Sequence, residues 1–301
     1  MRVFVTGASG FIGTAIVKEL LAAGHEVLGL ARNDAGGDVL ARSGVEVHRG
    51  ELSNTESLAA GARACEGVIH TAYNHEFATT TREAASETDR RAVEAMAGAL
   101  EGSGKPLVVT SGTFMAALRA SGRTATEEDM LPDGAPIPRA ASEVAVRAAA
   151  SRGVRASVVR LAPSVHGAGD HGFVPILIGI ARRTGISAFV GDGANRWPAV
   201  HRLDAARLFR LALEEAAPGA LLHGAAEEGV PMRAIAETIG KGIGVPVRGL
   251  SKDEARKHFD WFAEFLAIDN PCSSAITRRT LGWKPQGPDL LTDMRENGYF
   301  S

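Results

Sequence analysis

The chain has 301 residues, of which 45% are hydrophobic and 23% charged, values that are average for globular proteins and ample for a core. Its 33 basic and 35 acidic residues leave a net charge of -2, and this balance argues against a nucleic-acid or anionic-membrane partner. The two cysteines, Cys65 and Cys272, belong to no C-x-x-C motif or cysteine-histidine cluster, so we expect free thiols in a reducing compartment and no metal site.

The N-terminal MRVFVTGASG has one positive charge and a short apolar run that glycines interrupt, whereas a signal peptide needs a longer apolar stretch. No run approaches the roughly 18 apolar residues that span a bilayer. We therefore expect a cytoplasmic protein with no membrane partner.

Strands and helices alternate along the first half of the chain. The strand-like runs are RVFVT (2–6), EVLGLA (26–31), VEVHRG (45–50), GVIHTA (67–72), LVVTSG (107–112) and ASVVRL (156–161). Amphipathic helical patterns lie between them, including a long segment at 81–103 and a helix at 137–152. This alternation predicts βαβ crossovers and a Rossmann-like, doubly wound parallel sheet of the α/β class.

After Pro163 the pattern changes to a glycine-rich loop, SVHGAGDHGF, followed by helices at 174–183 and 203–215 and a strand near ALLHG. We expect residues 1–165 to form the sheet domain, with 200–225 returning to it. Residues 166–199 and 226–301 are expected to form a smaller C-terminal substrate lobe, with Trp261 and Trp283 in its core.

The segment TGASGFIG places Gly7, Gly10 and Gly13 between the first strand and the first helix. Glycine permits the tight turn at the first position, close approach of a diphosphate at the second and close helix–strand packing at the third, while the helix N-terminus offers N–H groups. A dinucleotide is therefore the predicted ligand. The adjoining residues Ser9, Phe11 and Ile12 are predicted to contact it.

The G-x-x-G-x-x-G spacing resembles the short-chain dehydrogenase/reductase superfamily, in its extended and atypical branches of sugar-nucleotide epimerases, dihydroflavonol reductases and 3β-hydroxysteroid dehydrogenases. HRGELSN, GVIHTAYN, VVTSGT, VVRLAPSVHGAGD and VHRLDAARLFRLALE continue the resemblance. It implies further cofactor contacts from Glu51, Leu52, Thr71, Ala72, Tyr73, Leu161, Pro163 and Ser164. Members commonly pair through two long helices that match 81–103 and 137–152, which implies a homodimer.

The end of the second strand decides which dinucleotide is expected. NAD sites place a carboxylate there for the ribose hydroxyls, but this chain has Ala31 followed by Arg32. A guanidinium suits a 2′-phosphate, so NADP(H) is favoured over NAD(H). The alternative is that Arg32 is a solvated surface residue and Asp34 binds the ribose.

The family's catalytic helix carries Tyr-x-x-x-Lys, in which the tyrosine supplies the proton. The matching segment PRAASEVAV has Arg139 and Glu143 at those two positions, with the family's small residue kept as Ser142. The chain's two tyrosines, Tyr73 and Tyr299, begin no such pair. The usual acid is therefore absent.

The spacing of Arg139 and Glu143 predicts that they share a helix face and lie close enough to pair. Glu143 could then accept from the ribose hydroxyls, and Arg139 could stabilise an oxyanion or hold a substrate carboxylate, although it cannot release a proton. The alternative is a surface ion pair without a chemical role.

Other groups remain as candidate donors. Ser111 and Thr113 are expected beside a bound carbonyl, but a hydroxyl is too weak an acid to act without a relay. His75, at the carboxyl edge of the sheet, is the predicted proton donor, ahead of Tyr73 and the later histidines His166, His171 and His201. An iminium or electron-poor C=C substrate would need the acid less.

The segment GDGANRWP resembles the substrate lobe of extended family members. It predicts that Arg196 and Trp197 hold the substrate, together with Tyr73 and His166; the alternative is that Trp197 closes the lobe's core and Arg196 faces solvent. The sequence thus predicts an NADP(H)-dependent oxidoreductase that reduces a small organic carbonyl, imine or activated alkene with a non-standard proton donor. The alternatives are a non-catalytic NADP(H) sensor or regulator, and an epimerase or isomerase.

Overall fold

The computed structural model describes residues 1–75, 80–120 and 122–301. The strands are β1 (Arg2–Thr6), β2 (Glu26–Ala31), β3 (Glu46–Arg49), β4 (Gly67–His70), β5 (Pro106–Gly112), β6 (Arg155–Leu161), β7 (Ser164–His166), β8 (Ser187–Val190), β9 (Arg196–His201), β10 (Leu221–Gly224), β11 (Glu227–Pro231) and β12 (Val247–Leu250). The helices are α1 (Phe11–Ala22), α2 (Asp34–Arg42), α3 (Thr55–Arg63), α4 (Arg82–Ala99), α5 (Phe114–Ala120), α6 (Ala140–Ser151), α7 (Phe173–Thr184), α8 (Arg202–Glu215), α9 (Met232–Ile243), α10 (Lys252–Phe259), α11 (Ala263–Leu266), α12 (Ala275–Leu281) and α13 (Leu290–Glu296).

The main sheet has seven strands in the order β10-β6-β5-β4-β1-β2-β3, and every pair in it is parallel. The predicted Rossmann-like sheet is confirmed. Its apolar strands are buried because helices cover both faces, as the continuous hydrophobic runs indicate. The strand order reverses between β1 and β4, and the carboxyl ends of strands at such a reversal form the crevice where ligands bind.

The second half of the chain adds two smaller sheets, β11-β9-β7 and β12-β8, and a hydrophobic core of its own around Trp197, Ile235 and Phe262. The expectation for the other two tryptophans is wrong. Trp261 is 53% exposed, and Trp283 is buried in the core of the main sheet, where its Nε1 donates to the Asp204 carbonyl oxygen at 3.0 Å.

The two long helices are shorter than predicted. α4 ends at Ala99, and Gly102 and Gly104 after it have positive φ angles. α6 begins at Ala140, with Arg139 as its N-cap residue, rather than at 137. Pro138 explains this later start, because a proline disfavours helical geometry in the residue before it.

Among the helices of the described ranges, none is both long and apolar enough to cross a membrane. The same residues contain no group of three or more histidine, cysteine, aspartate or glutamate side chains that could hold a metal ion. Both cysteines are free and buried.

Candidate active site

The glycine loop between β1 and α1 is closed too tightly for side chains. Gly7 has a φ of +68°, and a Cβ on it would lie 2.6 Å from Thr71 Oγ1 and 2.8 Å from Ala72 N. A Cβ on Gly13 would lie 1.9 Å from the Gly7 carbonyl oxygen. The loop therefore holds the N-terminus of α1 directly beside the ends of β1 and β4, and this arrangement fits a dinucleotide diphosphate.

The ends of β1 and β4 are tied to each other below this loop. Thr71 Oγ1 donates to the Thr6 carbonyl oxygen at 2.8 Å, and Ala72 N donates to Thr6 Oγ1 at 3.3 Å. Of the other predicted cofactor contacts, Glu51 follows β3 and accepts from Ser53 Oγ. Ser9, Phe11 and Ile12 adjoin the glycines, Leu52 follows β3, and Leu161, Pro163 and Ser164 follow or end β6, all near the carboxyl edge of the sheet.

The residues after β2 are arranged differently from a carboxylate ribose site. Ala31 is buried at the strand end, and Arg32 beside it is exposed. Asn33 caps α2 by accepting from Gly36 N. The Asp34 carboxylate, the alternative ribose ligand, lies 3.0 Å from Nη2 of Arg49 and extends into solvent.

Arg139, which was predicted to stand in place of a catalytic tyrosine, does not pair with Glu143 as predicted. Its Nη2 donates to the Thr110 carbonyl oxygen at 2.8 Å, and its Nη1 lies 2.7 Å from Asp89 Oδ2. The guanidinium also lies over the Tyr73 ring, 4.0 Å from the centroid. These contacts fix a permanent cation at the end of β5, one residue before Ser111.

Asp89 of α4 is fully buried and makes two further polar contacts besides that to Arg139. Oδ1 lies 3.1 Å from Nε2 of His70, whose Nδ1 lies 2.7 Å from Thr6 Oγ1, and Oδ2 accepts from Ser142 Oγ. Burial by itself would raise the pKa of Asp89, but the Arg139 charge and the bonds from His70 and Ser142 outweigh it and lower the pKa to about 2. Asp89 is thus a stable counter-ion behind Arg139.

Glu143 pairs with Arg160 of β6. Arg160 Nε donates to Oε1 at 2.9 Å and Nη2 to Oε2 at 2.6 Å, and both side chains are buried. Arg139 is the N-cap residue of α6, and Arg139 and Glu143 each pair with a residue of another element instead of with each other. Since Arg160 engages both carboxylate oxygens, Glu143 stabilises the junction of α6 and β6, and the geometry gives no support for binding of ribose hydroxyls.

His223 of β10 lies next to this pair and makes stability depend on pH. Its Nδ1 donates to the Ser273 carbonyl oxygen at 2.8 Å, and burial lowers its pKa to about 4. The unfolded chain binds a proton at this residue near pH 6.5, so the free energy of unfolding should decrease by up to about 1.4 kcal/mol for each pH unit from pH 6.5 down to about 4. Urea unfolding across this range should show that His223→Gln flattens the slope and that exposed His171→Gln does not. Equal slopes for wild type and His223→Gln would refute this assignment.

Tyr73 and His75 extend the site beyond Arg139. The Tyr73 hydroxyl lies 3.0 Å from Ser86 Oγ, and its ring centroid is 4.9 Å from that of His75. Packed protein atoms and, second, the Arg139 charge lower the pKa of His75, whose side chain still reaches solvent. At neutral pH His75 is therefore mainly uncharged, and a neutral imidazole is not an effective acid.

The serine segment at the end of β5 contains one hydroxyl without a partner among the described residues and one that is engaged. Ser111 is 6% exposed, and no described residue is a hydrogen-bond partner of its Oγ. Thr113 is fully buried, and its Oγ1 accepts from Asn270 Nδ2 at 3.0 Å. Ser111 is thus better placed than Thr113 to contact a substrate.

Three of the predicted substrate contacts are engaged elsewhere. His166 is 1% exposed, with Nδ1 2.7 Å from Asp293 Oδ2. Arg196 Nη2 donates to Asp269 Oδ2 at 2.8 Å, and Trp197 is fully buried. The expectation that Arg196 and Trp197 grip a substrate is not supported, because Trp197 closes the lobe's core instead. Of the later histidines, His171 is exposed, and its ring contacts that of Phe11 at a centroid distance of 5.6 Å.

Asp89, His70 and Arg160 were missed by sequence reasoning. Asp89 lies on the buried face of α4 with Ser86 and Val93, at helical spacing, so a charged residue within an apolar stripe was the available signal. Arg160 likewise interrupts an apolar strand. A charge at such positions needs a buried partner, but the sequence does not identify which one.

Comparison with known proteins agrees with this architecture. Residues 3–222 match the model of the NAD dependent epimerase/dehydratase family. The chain is 48% identical over 300 residues to an uncharacterized protein of Schizosaccharomyces pombe, C2A9.02, with 100% of both chains covered. It is 27% identical over 257 residues to a 2-alkyl-3-oxoalkanoate reductase of Stenotrophomonas maltophilia, covering 82% of this chain and 77% of the relative.

Among solved structures, a dTDP-glucose 4,6-dehydratase from Streptomyces venezuelae with NAD bound is similar in fold. The TM-score is 0.79 at 22% sequence identity, with 100% of this chain and 96% of that chain covered. The seven-stranded parallel sheet, the glycine loop and the family match over most of the chain lead to one conclusion. The protein belongs to the NAD dependent epimerase/dehydratase family.

Proposed function

We propose that the protein is an NADP(H)-dependent reductase of a small organic carbonyl, imine or activated alkene. The observation that carries this proposal is the position of Arg139, which Asp89 and the Thr110 carbonyl hold at the carboxyl edge of the sheet beside Ser111. Negative charge develops on the substrate oxygen during hydride addition, and a fixed cation at that point stabilises it.

In this proposal Arg139, Ser111 and His75 have separate roles in the reduction. A bound nicotinamide dinucleotide supplies the hydride. Arg139 stabilises the developing oxyanion, and the Ser111 hydroxyl orients the same oxygen by donating a hydrogen bond. Because a guanidinium does not act as an acid and His75 is mainly neutral, the proton that completes the alcohol comes from solvent, and the exposed His75 next to Tyr73 relays it.

The choice of NADP(H) is supported by the residues after β2. At the end of β2, where NAD sites have a carboxylate that would repel a 2′-phosphate, this chain has Ala31 followed by Arg32. The nearest carboxylate in the sequence, that of Asp34, pairs with Arg49. A guanidinium binds phosphate through paired, charge-assisted hydrogen bonds, which supports a phosphorylated adenosine as the ligand.

Arg32→Ala is expected to weaken NADPH binding about 10- to 100-fold and to leave NADH binding nearly unchanged, since charge-assisted bonds to one phosphate are lost. Titration calorimetry with both dinucleotides measures this. Arg42→Ala, at the far end of α2, is the matched control and should bind NADPH as wild type does. Equal losses for NADPH and NADH would show that Arg32 does not read the phosphate.

The reductase proposal is tested by a panel. Purified protein is first titrated with NADPH and NADH, and consumption of the reduced dinucleotide is then followed with aldehydes, ketones, imines and enones. Turnover of one class supports the proposal. Tight binding without turnover of any class favours the sensor alternative, and absence of binding contradicts both.

We further propose a homodimer formed through α4 and α6. These helices leave between them an open groove of about 650 Å³, lined by small side chains such as Ala141, Val144 and Ala148. A second copy would cover this surface. Light scattering should give twice the chain mass for wild type and the chain mass for Val144→Arg, whereas the control Ala41→Arg on exposed α2 should remain dimeric. A monomeric wild type would contradict this proposal.

A further inference from the structure

Three partly exposed phenylalanine rings meet beside the carboxyl end of β5. Phe114 starts α5, Phe173 starts α7 and Phe265 lies in α11. The ring centroid of Phe265 lies 4.3 Å from that of Phe114 and 4.9 Å from that of Phe173. These three residues are called the aromatic wall below.

The aromatic wall is backed by fully packed side chains. Trp197 is 0% exposed and Phe262 1% exposed. Their centroids lie 5.0 Å from Phe265 and 5.2 Å from Phe173, respectively. Because the core fills the inner side, the exposed parts of the three rings face outward as a rigid apolar surface.

This surface adjoins the residues that the proposed reduction uses. Phe114 is three residues after Ser111. Phe173 is two residues after His171, whose ring contacts Phe11 at the start of α1. The aromatic wall is therefore connected at one end to the serine segment and at the other to the cofactor helix.

Two buried polar atoms lie at the serine end of the wall without a described partner. One is Ser111 Oγ, and the other is Oδ1 of Asn270, a fully buried residue that donates to Thr113 Oγ1. Buried polar atoms are nearly always hydrogen-bonded, so such a pair indicates where the polar end of a ligand lies.

The arginine next to Trp197 is already neutralised. Arg196 adjoins Trp197, but its guanidinium and backbone N–H are both bound to the Asp269 carboxylate. The surface is thus suited to an uncharged group rather than to a diphosphate.

We propose, resting on the reductase function above, that the substrate is a ketone or enone whose non-reacting part is an aryl or similarly apolar group lying against the aromatic wall. Its oxygen points toward Ser111 and Arg139. An aryl group gains offset and edge contacts with the rings, whereas a sugar nucleotide would bring a dianion against apolar edges. The aromatic wall is then the specificity determinant of the site.

Binding is measured independently of turnover by titrating 1-phenylethanol and 2-butanol into the protein saturated with NADPH, because an alcohol cannot accept a hydride from the reduced dinucleotide. 1-Phenylethanol should bind about 10- to 100-fold more tightly, and Phe114→Ala or Phe173→Ala should remove most of that difference. Phe114→Leu keeps the apolar volume and should give an intermediate loss with an unchanged melting temperature. The matched control is Trp261→Ala, an exposed aromatic outside the wall, which should keep the full preference.

Equal affinity for the two alcohols, a preference that survives both alanine variants, or tighter binding of UDP-glucose would overturn the proposal. Reduction of acetophenone and butanone then separates the two ideas. If 1-phenylethanol binds at the wall but neither ketone nor any other compound of the panel is reduced, the reductase function fails and the apolar subsite stands. If both ketones are reduced equally well, the reductase function stands and the wall inference fails.

Discussion

Replacement of Arg139 by methionine is expected to lower kcat and kcat/KM together, by about 100- to 1000-fold, while NADPH affinity stays within about twofold of wild type. The physical reason is that the guanidinium contacts charge that exists only in the transition state. Steady-state kinetics with the best ketone or enone, together with a separate NADPH titration, measures both quantities.

The same substitution leaves Asp89 buried without its cation, and loss of one partner of a buried pair destabilises a fold by about 3–5 kcal/mol. Two further variants keep the test interpretable. Arg139→Lys retains a charge but loses the planar fork, so it should fold and lose about tenfold in kcat. The double variant Arg139→Met with Asp89→Asn removes both charges and should recover stability without recovering activity.

A surface arginine provides the comparison for these variants. Arg147 on α6 pairs with the exposed Asp133, and Arg147→Met should change neither stability nor kcat appreciably. Wild-type kcat in a folded Arg139→Met protein would remove Arg139 from the mechanism.

Gly13→Ala is expected to abolish dinucleotide binding, with a loss of at least about 100-fold, and to destabilise the fold by about 1–3 kcal/mol. The new Cβ would lie 1.9 Å from the Gly7 carbonyl oxygen, and this is backbone that no rotamer change can move. Either α1 must move away from β1 or the turn at Gly7 must open, and both displace the N–H groups that face the diphosphate. Calorimetric titration and urea unfolding report the two effects.

Gly98→Ala supplies the matched substitution. Gly98 lies in α4, and a Cβ there would meet no atom within 4 Å. Alanine should stabilise this helix by about 0.5–1 kcal/mol and leave binding unchanged. Wild-type NADPH affinity in Gly13→Ala would mean that the glycine loop does not hold the diphosphate.

The sequence carried most of the information about the sheet because its signals are local. Runs such as RVFVT and GVIHTA are buried on both faces, and glycines at 7, 10 and 13 report a turn whose geometry excludes side chains. Helix ends were harder to predict, since α6 begins at Ala140, after Pro138, and not at residue 137.

The site was only partly predictable, since its decisive contacts join distant segments. Asp89 and Arg139 are separated by 50 positions, and so no periodicity relates them. The expected pairing of Arg139 with Glu143 followed from spacing alone, whereas the structure gives each residue a partner on another element. The aromatic wall was not predictable for the same reason, because Phe114, Phe173 and Phe265 come from three separate helices.

Transfer of deuterium from NADPH that carries deuterium at both C4 positions to an aryl ketone or enone tests the central claim most directly. With wild type, mass spectrometry of the product should find the label on the reduced carbon, and Arg139→Met should slow its appearance about 100- to 1000-fold. If saturated wild type retains all label in the dinucleotide across the carbonyl, imine and alkene panel, the account of this protein as a reductase is contradicted.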